Sequence, residues 1–175
     1  MNNHGKQKKW GIRAIGNNSK GTTILEMGFL MAPFVLLLVA VFEFGWYFLQ
    51  EHTLQYATRE GMRLALVGGV LNDAQGNPLS REDSIIQIIQ EKAAAVMDIP
   101  TQNIKIFQVG NNYSSPSGSE TAPNNVGNAA DYMRVAVWYD HQFFTPLVGG
   151  LFSGDGTIRL EAQGTYRNEL FDTGV

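Results

Sequence analysis

The side chain with the clearest chemical potential in the sequence is the carboxylate of Glu26, five residues after Gly21. Sixteen residues without a charge follow it, from Met27 to Phe42, and the apolar character continues to Leu49. A carboxylate at the depth of a bilayer costs about 2–3 kcal/mol on insertion scales. Because ionisable side chains at that depth are functional by default, Glu26 is a candidate functional residue.

The sequence offers no constellation for catalysis. The three histidines, His4, His52 and His141, are far apart in the chain and are predicted to be solvated side chains. Metalloprotease, nucleophile-elbow and calcium-loop motifs are missing. Residues 16–23 faintly resemble a phosphate-binding loop, but Lys20 precedes the second glycine, whereas the motif requires the lysine after it. Since there is no cysteine, disulfides, thiolate catalysis and cysteine-based zinc sites are excluded. We therefore predict no enzyme activity, no catalytic residue, no metal and no cofactor.

Charge is distributed unevenly along the chain. Residues 1–21 carry five basic side chains and no acidic one, whereas the rest of the chain holds eight basic and sixteen acidic side chains. The overall charge of −3 is too mild to indicate a nucleic-acid partner. Such an asymmetry at the N-terminus is typical of a targeting or topological signal.

The apolar run is long enough to cross a membrane. As a helix, residues 27–49 would measure about 35 Å, against a hydrocarbon core of about 30 Å. Trp46 and Tyr47 lie near its far end, where aromatic rings favour the membrane–water interface. The bias of Lys and Arg places the N-terminus in the cytoplasm and the C-terminal part outside.

Three other interpretations of the run were weighed. A secretory signal peptide would end in a small-residue cleavage site, and none follows. A buried core helix is disfavoured by a continuous apolar run directly after a basic leader. An ordinary signal anchor fits the hydropathy equally well, and only Glu26 argues against it.

Helical periodicity continues beyond the membrane segment. Small and apolar residues, Leu54, Ala57, Gly61, Leu64 and Ala65, share one face, and Gly68-Gly69 is a typical helix end. One helix is thus predicted over about residues 23–66. Its apolar stripe is expected to pack against the domain's own sheet, with a partner subunit as the alternative.

The remainder predicts an α+β domain. A second helix is expected to begin at Ser80 and to stop at Asp98-Ile99-Pro100. Three stretches have strand composition or alternation, namely 103–109, 133–140 and 157–167, and are predicted to form a small antiparallel sheet. The polar segment 110–131 is expected to be a flexible surface loop, or else a binding loop.

The segment Lys20–Glu26 resembles the processing site of type IV prepilins, with a basic leader, a glycine before the cut and a glutamate as fifth mature residue. The resemblance implies that a prepilin peptidase cuts after Gly21 and that Thr22 becomes the new N-terminus. It also implies that Glu26 pairs with the N-terminal amine of a neighbouring subunit during assembly.

The chain further resembles the TadE-like family of minor pseudopilins from tight-adherence (Tad) pilus systems. The pieces that carry this resemblance occur in the family's order and are Glu26, Pro33, Glu43-Phe44-Gly45, Ala57–Arg63, Thr145-Pro146-Leu147 and Arg167-Asn168-Glu169. Glu43 itself is predicted to lie at the membrane interface, because it falls in the last third of the span.

The resemblance implies a minor pilin or pseudopilin, a structural component of Tad-type pilus biogenesis or secretion in the bacterial inner membrane. Residues 1–21 would be a cytoplasmic leader that is removed, 22–67 a helix with an amphipathic part over 50–67, and 68–175 an exported pilin-like domain. Its partners would be the prepilin peptidase, other pilins, the inner-membrane assembly platform and membrane lipid. The alternative is a signal-anchored periplasmic binding or scaffold protein that keeps its leader.

Overall fold

A computed structural model describes residues 19–170, with side chains described from residue 21 onward. His4 and most of the predicted leader therefore lie outside the described residues. Two compact units divide the chain at residues 39 and 40. In chain order the elements are α1 (Ser19–Leu66), α2 (Arg81–Ala93), a 3-10 turn (Thr101–Asn103), β1 (Ile104–Gln108), β2 (Tyr132–Gln142), α3 (Pro146–Phe152) and β3 (Thr157–Arg167). The predicted α+β class, with a long apolar N-terminal helix, a second helix and a small antiparallel sheet, is confirmed.

Helix α1 begins at Ser19, four residues before the start that the sequence predicted, and ends where predicted. Its end is a Schellman motif, in which the Gly69 N–H donates to the Leu64 carbonyl and the Gly68 N–H to the Ala65 carbonyl, both at 3.1 Å. Gly68 has a φ of 66°, which a side chain would disfavour. The glycine pair therefore stops the helix by satisfying its last carbonyl groups.

Helix α2 begins at the predicted cap. The Ser80 hydroxyl accepts the Asp83 N–H at 3.0 Å and donates to the Asp83 carboxylate at 2.6 Å. The helix ends at Ala93, earlier than the stop at Asp98–Pro100 that the sequence predicted. The chain turns there because Met97 and Ile99 enter the core.

The sheet has the order β1-β2-β3, and both pairs are antiparallel. In its register Val135 of β2 lies between Ile106 of β1 and Gly164 of β3. Strand β2 extends past the predicted end at Asp140 to Gln142, and it continues directly toward α3. The helix α3 was not predicted, because the sequence indicated no helix between the second and third strands.

The core of the second unit lies between one face of this sheet and the helices. Apolar side chains from α1, α2 and all three strands form a single buried cluster, including Leu54, Ala57, Ala65, Ile85, Ile89, Ile104, Ile106, Met133, Val135, Val137, Leu160 and Ala162. Full burial of each large side chain contributes about 1.5–3 kcal/mol. The predicted packing of the α1 stripe against the domain's own sheet is thereby confirmed for Leu54, Ala57 and Ala65.

Residues 110–131 form neither helix nor strand, as predicted. The second half of this segment nevertheless pairs with the free edge of β1, because the Asn125 N–H donates to the Ile106 carbonyl at 2.8 Å and the Ile106 N–H donates to the Asn124 side chain at 3.1 Å. The buried Asn168 side chain donates to the Asn128 carbonyl at 2.7 Å. These bonds cover an edge strand that would otherwise expose unpaired backbone groups. The flexibility of the segment stays a prediction.

Helices α1 and α2 approach each other closely at Gly61. A Cβ atom built on Gly61 would lie 2.5 Å from Cγ1 of Ile89, well inside van der Waals contact. Ile89 itself is completely buried. The two helices can therefore pack at this distance only because residue 61 has no side chain.

We expect the substitution Gly61→Leu to lower the free energy of unfolding by about 1–3 kcal/mol, because it overpacks this helix contact. Urea unfolding of the detergent-solubilised protein, followed by tryptophan fluorescence, measures the change. Gly45→Leu is the matched control, since it also replaces a glycine of α1 but its Cβ position has no described atom within 4 Å. Equal stability of the two variants would contradict the close approach.

Candidate functional site

The residues of the predicted processing site all lie in the first turns of α1. Gly21, Thr22 and Glu26 are exposed, and no described atom lies within 4 Å of a Cβ position built on Gly21. Because residues four apart lie on the same face of a helix, Thr22 and Glu26 are one turn apart on one side of α1. The arrangement can present a carboxylate and, after a cut at residue 21, an amine on a single face. Whether the cut occurs stays a prediction.

The apolar side chains that follow Glu26 are exposed as far as Leu38. An 18-residue window of α1 has a mean hydropathy of 2.4, and none of it is buried within the described residues. Soluble monomers rarely expose contiguous apolar patches beyond a few hundred Å². Helix α1 is thus long and apolar enough to cross a membrane, which is consistent with a single-pass membrane protein.

The two predicted interface anchors have different surroundings. Trp46 lies at the surface with its ring 6.4 Å from that of Phe144. Tyr47 is half-buried, stacked against Phe143 and in edge contact with His141. The Tyr47 ring therefore packs within the domain, whereas the Trp46 ring is available to the exterior. Their role at a membrane interface stays a prediction.

Glu43 is only 2% exposed, although it belongs to the apolar part of α1. Its carboxylate accepts the Phe144 N–H at 3.0 Å and the Thr145 N–H at 2.6 Å, one on each oxygen. Thr145 caps the N-terminus of α3, where a negative charge is favoured by the helix dipole. Hydrogen bonds to an ionised acceptor are roughly twice as strong as neutral ones. Glu43 therefore fixes the entry of α3 against α1.

A second buried polar pair lies beside this carboxylate. The His141 Nδ1 atom is hydrogen-bonded to Oε1 of Gln50, and both side chains are buried. Burial lowers the pKa of His141, while the nearby charge of Glu43 acts in the opposite direction. The prediction that His141 is solvated is wrong, because the alternation of β2 turns this side chain inward, next to Phe143.

The structure thus adds Gln50 to the residues that sequence reasoning singled out, and it places Glu43 and His141 in buried contacts that were not predicted. Glu43 was predicted to be interfacial, and nothing near it in the chain predicts its two backbone partners, which lie 101 and 102 residues away. The sequence feature that could have indicated this contact is the presence of both the Glu43-Phe44-Gly45 and the Thr145-Pro146-Leu147 pieces. The structure brings these two pieces together.

Comparison with known proteins gives a match to the N-terminal helix. The family model described as TadE-like protein matches residues 21–63. Residues 21–63 of this chain are similar to TadE-like proteins. The TadE-like match begins at Gly21 and includes Glu26 and Glu43, which confirms the predicted resemblance over the helix. For residues 64–175 the resemblance rests on the Thr145–Leu147 and Arg167–Glu169 pieces alone. Neither a curated protein nor a solved structure matches the chain significantly.

Replacing Glu43 by leucine would remove the acceptor of two backbone N–H groups. We expect Glu43→Leu to destabilise the α3 segment by about 1–3 kcal/mol for each amide left unpaired in a buried setting. Hydrogen–deuterium exchange of a peptide covering residues 143–152 measures this loss as faster exchange.

Glu51→Leu is the matched control, because Glu51 is half-buried on the same helix and its recorded bond is to the Gln55 side chain. That variant should retain wild-type exchange in residues 143–152. Unchanged exchange in Glu43→Leu would show that the two hydrogen bonds do not hold α3 in place.

Proposed function

We propose that this chain is a minor pilin or pseudopilin, a structural component of Tad-type pilus biogenesis or secretion. The observation that carries the proposal is the position of the TadE-like match, which begins at Gly21. The same segment is an exposed apolar helix whose first carboxylate is Glu26. A pilus-associated component accounts for a chain that has such a helix and a separate small domain.

In this proposal α1 crosses the inner membrane once, over about residues 27–49. The five basic residues of the leader stay in the cytoplasm, and the α+β domain lies on the outer side. A prepilin peptidase acts at the cytoplasmic face and cuts between Gly21 and Thr22. The helix remains attached after the cut and anchors the subunit.

Glu26 serves assembly with other pilins on the inner-membrane platform. Its exposure leaves the carboxylate accessible to a second molecule. Within a bilayer the charge is costly unless an opposite charge meets it, and the new amine at Thr22 of a neighbouring subunit provides one. This pairing would select for subunits whose leader has been removed, since only they carry an amine at that depth.

The role is structural and not enzymatic. Both oxygens of the buried Glu43 carboxylate accept backbone N–H groups, so this group is engaged in holding the fold. The buried His141 is likewise paired with Gln50 on Nδ1.

Processing is tested by co-expressing the full chain with a prepilin peptidase and determining the N-terminus of the membrane-bound product by mass spectrometry. We expect a mature chain that starts at Thr22, and Gly21→Ala should block or slow its formation. Gly28→Ala is the control, because it changes another open glycine of α1 away from the bond. An intact leader in the wild-type chain would instead support the signal-anchored binding or scaffold protein.

Assembly is tested with Glu26→Ala. We expect this variant to be cut normally but to cross-link poorly to other pilins, because the neighbouring amine loses its counter-charge. Glu51→Ala, which removes a glutamate beyond the predicted span, should cross-link like the wild type. Normal cross-linking of Glu26→Ala would rule out the amine-pairing role while leaving the processing result intact.

A further inference from the structure

Helix α3 and the residue before its cap present an apolar outer surface. The segment 142–154 contains no charged side chain. Phe144, Leu147 and Leu151 are 71%, 59% and 78% exposed, and the four-residue spacing of Leu147 and Leu151 places these two on one side of α3. Val148 and Gly149 of the same helix are buried against the domain. The helix is therefore apolar on both sides, and the domain covers only one of them.

This surface lies beside Phe44 and Trp46 of α1. The Phe152 ring is 5.6 Å from that of Phe44 in an edge contact, and the Phe144 ring is 6.4 Å from that of Trp46. If the hydrocarbon core begins at Met27, about 30 Å of helix ends near residue 46. The outer face of α3 is thus level with the point at which the predicted span leaves the bilayer.

The polar groups at this level point inward. A backbone N–H that faces lipid without an acceptor costs several kcal/mol, and so does an unpaired carboxylate. Glu43 and the amides of Phe144 and Thr145 satisfy one another, and Glu43 is buried. The backbone N–H groups at the start of α3 therefore have an acceptor within the protein, which a segment at the edge of a bilayer requires.

We propose that α3, together with Phe144, is a second membrane contact that lies in the interface of the bilayer from which α1 emerges. Lipid is the occupant because the surface contacts Phe44 and Trp46 of the predicted span, and the preceding apolar residues of that span, Val41 and Phe42, are also exposed. The proposal rests on the membrane span of the proposed function. It adds that the domain is held against the membrane surface by two elements and not by α1 alone.

The absence of cysteine allows a direct test on the full chain. Single-cysteine variants Leu37→Cys, Leu151→Cys and Ser117→Cys place a thiol in the span, on α3 and in the exposed loop; all three positions are exposed, so a label should not disturb packing. Each variant is labelled with an environment-sensitive fluorophore. It is then reconstituted into phosphatidylethanolamine–phosphatidylglycerol vesicles with lipids brominated either near the headgroup or near the chain end.

We expect the label at residue 151 to be quenched most by lipid brominated near the headgroup and the label at residue 37 by lipid brominated near the chain end. The label at residue 117 should be quenched by neither. Quenching at 37 alone overturns the α3 contact and leaves the span in place, whereas quenching at neither 37 nor 151 overturns the span as well. Blue-shifted emission at 151 without quenching would mean that protein covers α3, and equal quenching at 117 would mean non-specific adsorption; either result rejects the proposal.

Discussion

The hydrogen bonds between the Glu43 carboxylate and two backbone amides are the interaction on which the part of the domain around α3 depends. Each partner would be costly if left unpaired in a buried setting. Together they join α1 to the start of α3, at Phe144 and Thr145. The aromatic packing of Phe143 against Tyr47 and His141 then fills the space beside this joint.

The two carboxylates of the apolar part of α1 have opposite environments. Glu43 is enclosed and bonded within its own domain, whereas Glu26 is exposed. Each oxygen of the first accepts a backbone N–H of its own domain, so this carboxylate stabilises the fold. The second is accessible to another molecule, and in the proposed function it serves association.

Local patterns were sufficient to predict much of the fold. The Ser80 cap, the glycine stop after Leu66 and the alternation in β3 each depend on neighbours within a few residues, and the structure confirms them. Helix α3 was missed because it has only seven residues, two of them glycine, and is held by packing and by Glu43. The burial of His141 was missed for a similar reason, since its partner Gln50 is 91 residues away. Contacts between residues so far apart in the chain produce no local periodic pattern from which a single sequence could predict them.

Glu43 and Gly61 both belong to α1, and both contact other elements of the α+β domain. The two positions are about five full turns apart at 3.6 residues per turn, so they face the domain together. Deleting or inserting one residue between them would rotate one contact by about 100° away from its partner. The stretch between these positions must therefore keep its length, so its exposed residues can be substituted but residues cannot be inserted or deleted.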